Sequence, residues 1–119
     1  HKLRIADIYK KYLANVQSIV QLPQTTEHLV HSNWLFTIRL AEDIDRDKVI
    51  KKMLERGVDT RPVFYPMHQM PPYKQYPKSS SLENSSNISQ SGISLPTSVK
   101  LTERKIENIS SSLLQVLNE

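Results

Sequence analysis

The residues best suited to chemistry lie within residues 57–73, which read GVDTRPVFYPMHQMPPY. Arg61 is a permanent cation that can donate paired hydrogen bonds to an anion. His68 can take up or release a proton near neutral pH. Tyr65 and Tyr73 add hydroxyl groups and flat ring faces suited to stacking on a sugar or a base. These residue types predict a binding site for a small anionic molecule.

Proline predicts a rigid, irregular backbone in the second half of this segment. Residues 65–77 are rich in proline and aromatic residues, and proline fixes the backbone while removing amide donors. Rigid loops on a scaffold are where binding residues concentrate. The alternative is a purely structural loop, in which His68 and the tyrosine hydroxyls satisfy nearby backbone groups.

Other kinds of site find less support. Cysteine is absent, which excludes disulfides, thiolate metal sites and a cysteine nucleophile and fits a reducing cytoplasm. The chain has only two glycines, too few for a glycine-rich phosphate loop. His28 and His31 are three residues apart, but Glu27 is the only carboxylate beside them. We therefore predict no metal site.

The net charge of +4 would suit a nucleic-acid partner, but the positive residues are scattered among acidic neighbours. We read them as solvated helix faces and predict no nucleic-acid partner. A mildly basic surface would also suit an anionic small substrate. No apolar run is long enough to predict a membrane span.

The helices and strands that must position residues 57–73 are predicted from the spacing of apolar residues along the chain. Residues 3–19 favour a helix, although residues 18–22 could form a short strand. Residues 33–40 alternate, which predicts a strand whose core face carries Trp34, Phe36, Ile38 and Leu40. A helix begins at Asp45, whose carboxylate can cap free amides, and Gly57 ends it. Its predicted buried stripe is Val49, Ile50, Met53 and Leu54.

The remaining elements complete a small α+β domain over residues 1–119. A strand is predicted at residues 58–63 and another at residues 93–95. Seven serines within residues 79–91 predict a flexible segment over 79–92, with a weak helix as the alternative. A last helix over residues 103–117 is capped by Thr102. The order predicts two layers, with helices on one face of a short, mainly antiparallel sheet.

The segment Gly-Val-Asp-Thr-Arg-Pro-Val-Phe-Tyr-Pro-Met-His, followed by Met-Pro-Pro-Tyr, resembles the small-domain motif of the DegT/StrS sugar aminotransferases. It is most similar to their perosamine-synthase-like branch. The resemblance extends over nearly the whole chain. It includes the strand at residues 34–38, Arg46-Asp47 at the start of a helix, and Ile93-Ser94-Leu95-Pro96 before the closing helix.

The resemblance implies the small domain of a type I aminotransferase that uses pyridoxal phosphate. Such enzymes move an amino group, usually from glutamate, onto a nucleotide-linked keto sugar for polysaccharide or related sugar biosynthesis. They are homodimers with active sites at the subunit boundary. By this resemblance His68 faces the sugar nucleotide, Arg61 and Tyr65 flank it, and Tyr73 helps to shape the pocket.

The resemblance also implies that most of the catalytic machinery lies elsewhere. The Schiff-base lysine and most cofactor contacts belong to the family's large domain, and no position here matches them. We therefore read Lys48, Lys51, Lys52 and Lys74 as surface residues and assign no catalytic or cofactor-binding residue. The chain begins with His1 rather than Met, which fits either a tag remnant or a piece of a longer polypeptide. Because helix-like sequence starts at once, we expect the piece, and we expect it to be inactive alone. The alternative is a stand-alone binding or regulatory module with the same fold.

Overall fold

The computed structural model of the chain describes residues 1–23, 27–76 and 80–119. Within these ranges the elements follow the predicted order of helices and strands. They are α1 (Lys2–Leu13), β1 (Ile19–Gln21), β2 (Phe36–Leu40), α2 (Arg46–Glu55), β3 (Arg61–Pro62), α3 (Glu83–Ser91), β4 (Gly92–Leu95) and α4 (Glu103–Leu117).

The strands form one sheet in the order β1-β2-β4-β3, and every neighbouring pair is antiparallel. In the central pair Thr37 lies opposite Ser94, and Ile38 lies opposite Ile93. β3 pairs with the other side of β4, with Arg61 opposite Ser94. The predicted α+β class with an antiparallel sheet is confirmed.

One face of the sheet carries the core. Phe36, Ile38 and Leu40 alternate along β2 and are fully buried, where they meet apolar side chains of α1, α2 and α4. The rings of Tyr9 and Phe36 stack with their centroids 4.9 Å apart. The hydroxyl of Tyr9 donates to the carbonyl of Pro96 at 2.9 Å, and burial raises the pKa of this hydroxyl.

The predicted helix ends are confirmed. Oδ1 of Asp45 accepts from the amides of Asp47 and Lys48, each at 3.1 Å. Gly57 has a φ of +75° after the end of α2, a left-handed conformation that glycine adopts without a steric penalty. Oγ1 of Thr102 accepts from the amide of Lys105 at 3.4 Å at the start of α4.

Two predicted elements were too long. The first helix ends at Leu13 rather than at residue 19, because Ile19 already pairs with Leu40 as part of β1. The strand predicted at residues 58–63 is reduced to Arg61–Pro62. Pro62 has no amide to donate, which limits the pairing of a strand at the edge of a sheet.

Two predicted core positions were wrong. Trp34 is 64% exposed, because β2 begins at Phe36 and the alternation does not reach back to residue 34. Leu54 is 61% exposed, whereas Val49 and Met53 of the same stripe are buried. The apolar stripe of α2 is therefore narrower than its spacing predicted.

The serine-rich segment contains α3, so the helical alternative was correct for residues 83–91. Its hydroxyls are used within the helix, since Ser86 Oγ donates to the carbonyl of Leu82 at 3.2 Å and Ser91 Oγ to that of Asn87 at 2.7 Å. Ser79 and also Pro77, from the predicted rigid segment, lie outside the described residues.

The cap at Asp45 predicts a specific loss of stability in acid. The amide hydrogen bond from Lys48 is the main reason that the pKa of Asp45 lies below its usual value. Because the pKa of Asp45 is lower in the folded chain than in the unfolded chain, the ionised carboxylate stabilises the fold. This stability is present above the unfolded-state pKa of about 4 and is lost as pH falls through the folded-state pKa. Asp45→Asn retains the cap but does not titrate. We expect it to lose less unfolding free energy than the parent chain between about pH 6 and pH 3, measured by urea unfolding.

Asp43→Asn is the matched control, because Asp43 precedes the helix without capping it. An equal acid loss in Asp45→Asn and in the parent chain would contradict the assignment. Glu119, whose pKa is lowered mainly by a hydrogen bond from Lys52 and then by Arg56, accounts for part of the loss that both proteins share.

Candidate functional site

The site is built on the sheet face that α1, α2 and α4 do not cover. Thr37 and Ser94 lie opposite each other on this face, and their hydroxyl oxygens are 2.9 Å apart. Arg61 shares the face, because it lies opposite Ser94 on the other side of β4. The amide of Val63 donates to the carbonyl of Gly92 at 3.2 Å, so the edge of the sheet continues past β3.

An apolar groove of about 500 Å³ runs along this face. Two of the predicted binding residues, Arg61 and Tyr65, line it. The groove is bounded by side chains of β2, β3, β4 and the proline-rich segment. Its lining comprises Trp34, Leu35, Thr37, Arg61, Pro62, Val63, Phe64, Tyr65, Met70 and Ser94.

Aromatic rings form the outer wall of the groove. The rings of Trp34 and Phe64 stack with centroids 6.5 Å apart and an interplanar angle of 21°. Both side chains, and that of Tyr65, are more than half exposed. Adjacent exposed apolar side chains of this size mark interaction surfaces in soluble proteins. Tyr65 was predicted to offer a ring for stacking, and its ring lines the groove, whereas Trp34 was expected in the core.

Arg61 supplies a positive charge at the groove. Its guanidinium nitrogen Nη2 donates to Oδ2 of Asp59 at 2.8 Å. The side chain of Arg61 is 76% exposed and that of Asp59 is 61% exposed. An ion pair this exposed contributes little free energy in water. Arg61 can therefore exchange Asp59 for an incoming anion at small cost, and its planar guanidinium suits a carboxylate or a phosphate.

The proline-rich segment after Tyr65 forms two short 3-10 turns, Met67–Gln69 and Pro71–Tyr73. Backbone hydrogen bonds close both turns, from Met70 N to Met67 O at 3.0 Å and from Tyr73 N to Met70 O at 2.9 Å. The prolines predicted a rigid, irregular segment, and the two turns correct the second part of that prediction, because they give residues 67–73 a regular hydrogen-bonded backbone. Tyr73 is 42% exposed but does not belong to the groove lining.

His68 lies on the first of these turns and faces α3 rather than the groove. The ring is half-buried, and Nε2 is 3.2 Å from Oγ of Ser86. Nε2 of Gln69 donates to the same hydroxyl at 2.9 Å. The structure thus brings Arg61 and Tyr65 together at the groove and places His68 beside a side-chain hydroxyl. The alternative of a purely structural loop predicted a backbone partner for His68, whereas the observed partner is a side chain.

Sequence reasoning missed the residues that hold α3 in place. The guanidinium of Arg46, at the start of α2, donates to the carbonyl of Ser89 at 2.6 Å and to that of Gly92 at 3.4 Å. Ser86, which precedes Ser89 on α3, contacts His68. The periodicity of residues 79–92 carries no sign of either contact, because the partners are 18 to 46 residues away.

The groove does not fit pyridoxal phosphate on its own. None of its lining residues is a lysine that could bond the aldehyde of the cofactor. Elsewhere, Lys48 and Lys52 make surface ion pairs with Asp45 and Glu119. We therefore assign no cofactor contact to the described part of the chain.

Neither a metal-binding cluster nor a membrane-spanning helix is present in residues 1–23, 27–76 and 80–119. In those ranges no group of three or more histidine, aspartate or glutamate residues could hold a metal ion. No helix there combines the length and apolar character that crossing a membrane requires.

Comparison with known proteins identifies relatives of nearly the whole chain. Residues 1–114 match the model of the DegT/DnrJ/EryC1/StrS aminotransferase family. GDP-perosamine synthase of Caulobacter vibrioides is 36% identical over 116 residues, which are 96% of this chain and 31% of that protein. GDP-perosamine synthase of Escherichia coli O157:H7 is 33% identical over 113 residues, 94% of this chain and 29% of that protein.

The fold has the same relatives. The Helicobacter pylori aminotransferase PseC, involved in the biosynthesis of pseudoaminic acid, superposes with a TM-score of 0.86 at 18% identity. The match covers 98% of this chain and 32% of that structure. At this identity the likeness shows the fold alone. The chain spans about a third of the length of each of these proteins.

Gly92 joins α3 to β4, and its lack of a side chain lets β3 approach. A Cβ there would lie 2.4 Å from Val63 Cγ2 and 2.5 Å from the carbonyl oxygen of Ile88. The carbonyl is backbone and cannot turn aside. We expect Gly92→Ala to lower the free energy of unfolding by about 2 kcal/mol and to change the fluorescence of Trp34, since Val63 and Trp34 line the same groove.

Gly57→Ala is the comparison variant, measured by the same urea unfolding. A Cβ at Gly57 meets nothing within 4 Å, so the cost is backbone strain alone, about 1 kcal/mol, with Trp34 emission unchanged. Our account of the junction would be wrong if Gly92→Ala were the milder variant.

Proposed function

The chain belongs to the DegT/DnrJ/EryC1/StrS aminotransferase family, and we propose that it is the substrate-side small domain of a sugar aminotransferase. The observation that carries the proposal is the apolar groove, in which Arg61 and Tyr65 of the motif lie beside exposed aromatic rings on the sheet face that α1, α2 and α4 do not cover. The relatives include GDP-perosamine synthases, whose names point to a nucleotide-linked sugar as the ligand class.

The reaction we propose is transfer of an amino group, from glutamate, to a keto sugar attached to a nucleotide. Pyridoxal phosphate, when bound, carries the amino group between donor and acceptor and acts as the electron sink. Because no lysine lines the groove and the chain spans about a third of its relatives' length, we propose that the cofactor and its lysine belong to the rest of a longer enzyme. This chain then contributes to binding and orientation of the sugar nucleotide.

Each motif residue has a role in this proposal. The ring face of Tyr65, with Trp34 and Phe64, offers a stacking surface for a sugar or a base. Arg61 exchanges Asp59 for a negative group of the ligand. His68 donates to or accepts from a polar group of the sugar, and Tyr73 contributes to the outer rim of the pocket.

The groove surface also suggests which partners the chain has. The exposed rings at the groove predict that another part of the protein covers it, and we propose the large domain of the same enzyme, within a homodimer. For a family that works on nucleotide sugars, we propose a cytoplasmic location and no nucleic-acid partner. A stand-alone binding or regulatory module is the outcome that the next experiment would reveal.

A chimera tests the proposal directly. The chain would replace the matching third of GDP-perosamine synthase from Caulobacter vibrioides, and the chain alone would be assayed beside it. We expect the chimera to absorb as bound pyridoxal phosphate and to aminate the keto sugar nucleotide, and the 119-residue chain to do neither. A folded, cofactor-bound chimera without turnover would favour the binding module.

His68 provides the residue-level test in the same chimera. We expect His68→Ala to raise the KM for the keto sugar nucleotide about tenfold, the factor for one lost hydrogen bond of about 1.4 kcal/mol. Cofactor absorbance should stay unchanged, because His68 is assigned to the sugar. His28→Ala, at an exposed histidine, is the control. Loss of the cofactor in parallel with the sugar would contradict the role.

A further inference from the structure

We propose that Ser86 is a positioning residue for His68, which it holds as the tautomer that carries its proton on Nε2. Nδ1 is then the ring atom that gains or loses a proton. The hydrogen-bond assignment stands on the geometry of this chain alone. Its consequence for catalysis deepens the role of His68 and rests on the proposed function.

The hydrogen bonds around Ser86 decide the tautomer. A hydroxyl group has one proton to donate and two lone pairs that accept. Ser86 Oγ donates to the carbonyl of Leu82 at 3.2 Å, and the amide group of Gln69 donates to Ser86 Oγ at 2.9 Å. One lone pair of Ser86 Oγ remains, and His68 Nε2 lies 3.2 Å from that oxygen. All three contacts are satisfied together only if Nε2 is the donor.

The opposite tautomer would break this set. An unprotonated Nε2 would have to accept the proton of Ser86, and the bond from Oγ to Leu82 would be lost. Gln69 cannot compensate, because its nitrogen only donates. The tautomer with Nε2–H is therefore favoured by one extra hydrogen bond.

This arrangement holds the ring in both of its charge states. The neutral ring and the protonated ring both carry a proton on Nε2, so the bond to Ser86 persists when Nδ1 changes its protonation. The orientation of the imidazole need not change during a proton transfer. The bond also joins the first 3-10 turn to α3, two segments that are 18 residues apart.

The same helix supplies a matched control. Ser91 Oγ donates to the carbonyl four residues earlier, that of Asn87, at 2.7 Å, just as Ser86 does to Leu82. Ser91 contacts Arg39 rather than a histidine. Ser91→Ala thus removes a comparable hydroxyl from α3 without touching His68. Ser86→Thr keeps a hydroxyl that can bond to both the carbonyl and the ring.

The measurement is ¹⁵N NMR of the histidine ring nitrogens in the labelled 119-residue chain, at mildly alkaline pH where free imidazole is neutral. His68→Gln assigns the signals. We expect a protonated-type shift at Nε2 and an unprotonated-type shift at Nδ1 in the parent chain. In Ser86→Ala the two shifts should move toward each other as the tautomers mix, with Ser91→Ala unchanged and Ser86→Thr restored.

Two results would overturn the assignment, namely a proton on Nδ1 in the parent chain, or identical ring shifts in Ser86→Ala and the parent. The first does not need Ser86→Ala, so the test survives if that variant fails to fold. In the chimera, Ser86→Ala should lower kcat/KM about tenfold, as for one lost hydrogen bond, and Ser86→Thr should recover it. Mixed tautomers with unchanged turnover would overturn the catalytic consequence. Unchanged tautomers would overturn the positioning role and leave the proposed function intact.

Discussion

β4 occupies the position on which the rest of the structure depends. It is hydrogen-bonded to β2 on one side and β3 on the other, and all four of its residues are buried. Ile93 and Leu95 face the core, while Ser94 lies between Thr37 and Arg61 on the opposite face. α3 leads directly into this strand. The core, the groove and the helix beside His68 are therefore aligned by one four-residue strand.

The separation into two faces explains the division of labour within the chain. The apolar side chains of α1, α2 and α4 exclude water from one face of the sheet and form the core with it. The other face carries hydroxyls, a cation and exposed rings, which are poor core material and suitable for a ligand. In the function proposed above, this is the face that the chain presents to the sugar nucleotide and to the cofactor-bearing domain.

Local sequence signals predicted the elements whose causes are local. Asp45, Gly57 and Thr102 mark helix ends through backbone groups one to three residues away, so their roles could be read from the sequence. The position of Trp34 could not be predicted, because alternation gives the face of a strand but not the residue at which the strand begins. Ser86 illustrates the deeper limit. Its contact with His68 depends on how α3 packs against a loop, and no spacing within either segment encodes that.

The candidate site, too, could be predicted only in part from the sequence. The motif led to Arg61, Tyr65 and His68, and the structure places the first two in one groove and the third at α3. The stacked pair of Trp34 and Phe64 was not foreseen, because its members are thirty residues apart and neither belongs to a regular strand. Aromatic residues that leave the core at the ends of strands are therefore worth attention when a binding surface is sought from sequence.

The edge strand β3 has a consequence for self-association. An outer strand normally offers free amides to which another chain can add a strand, a route to aggregation. β3 is only two residues long, and one of them is Pro62, which has no amide to offer. The other, Arg61, sets a charged side chain at the same edge. These features disfavour the addition of a foreign strand at this edge, while the neighbouring groove stays open to a ligand.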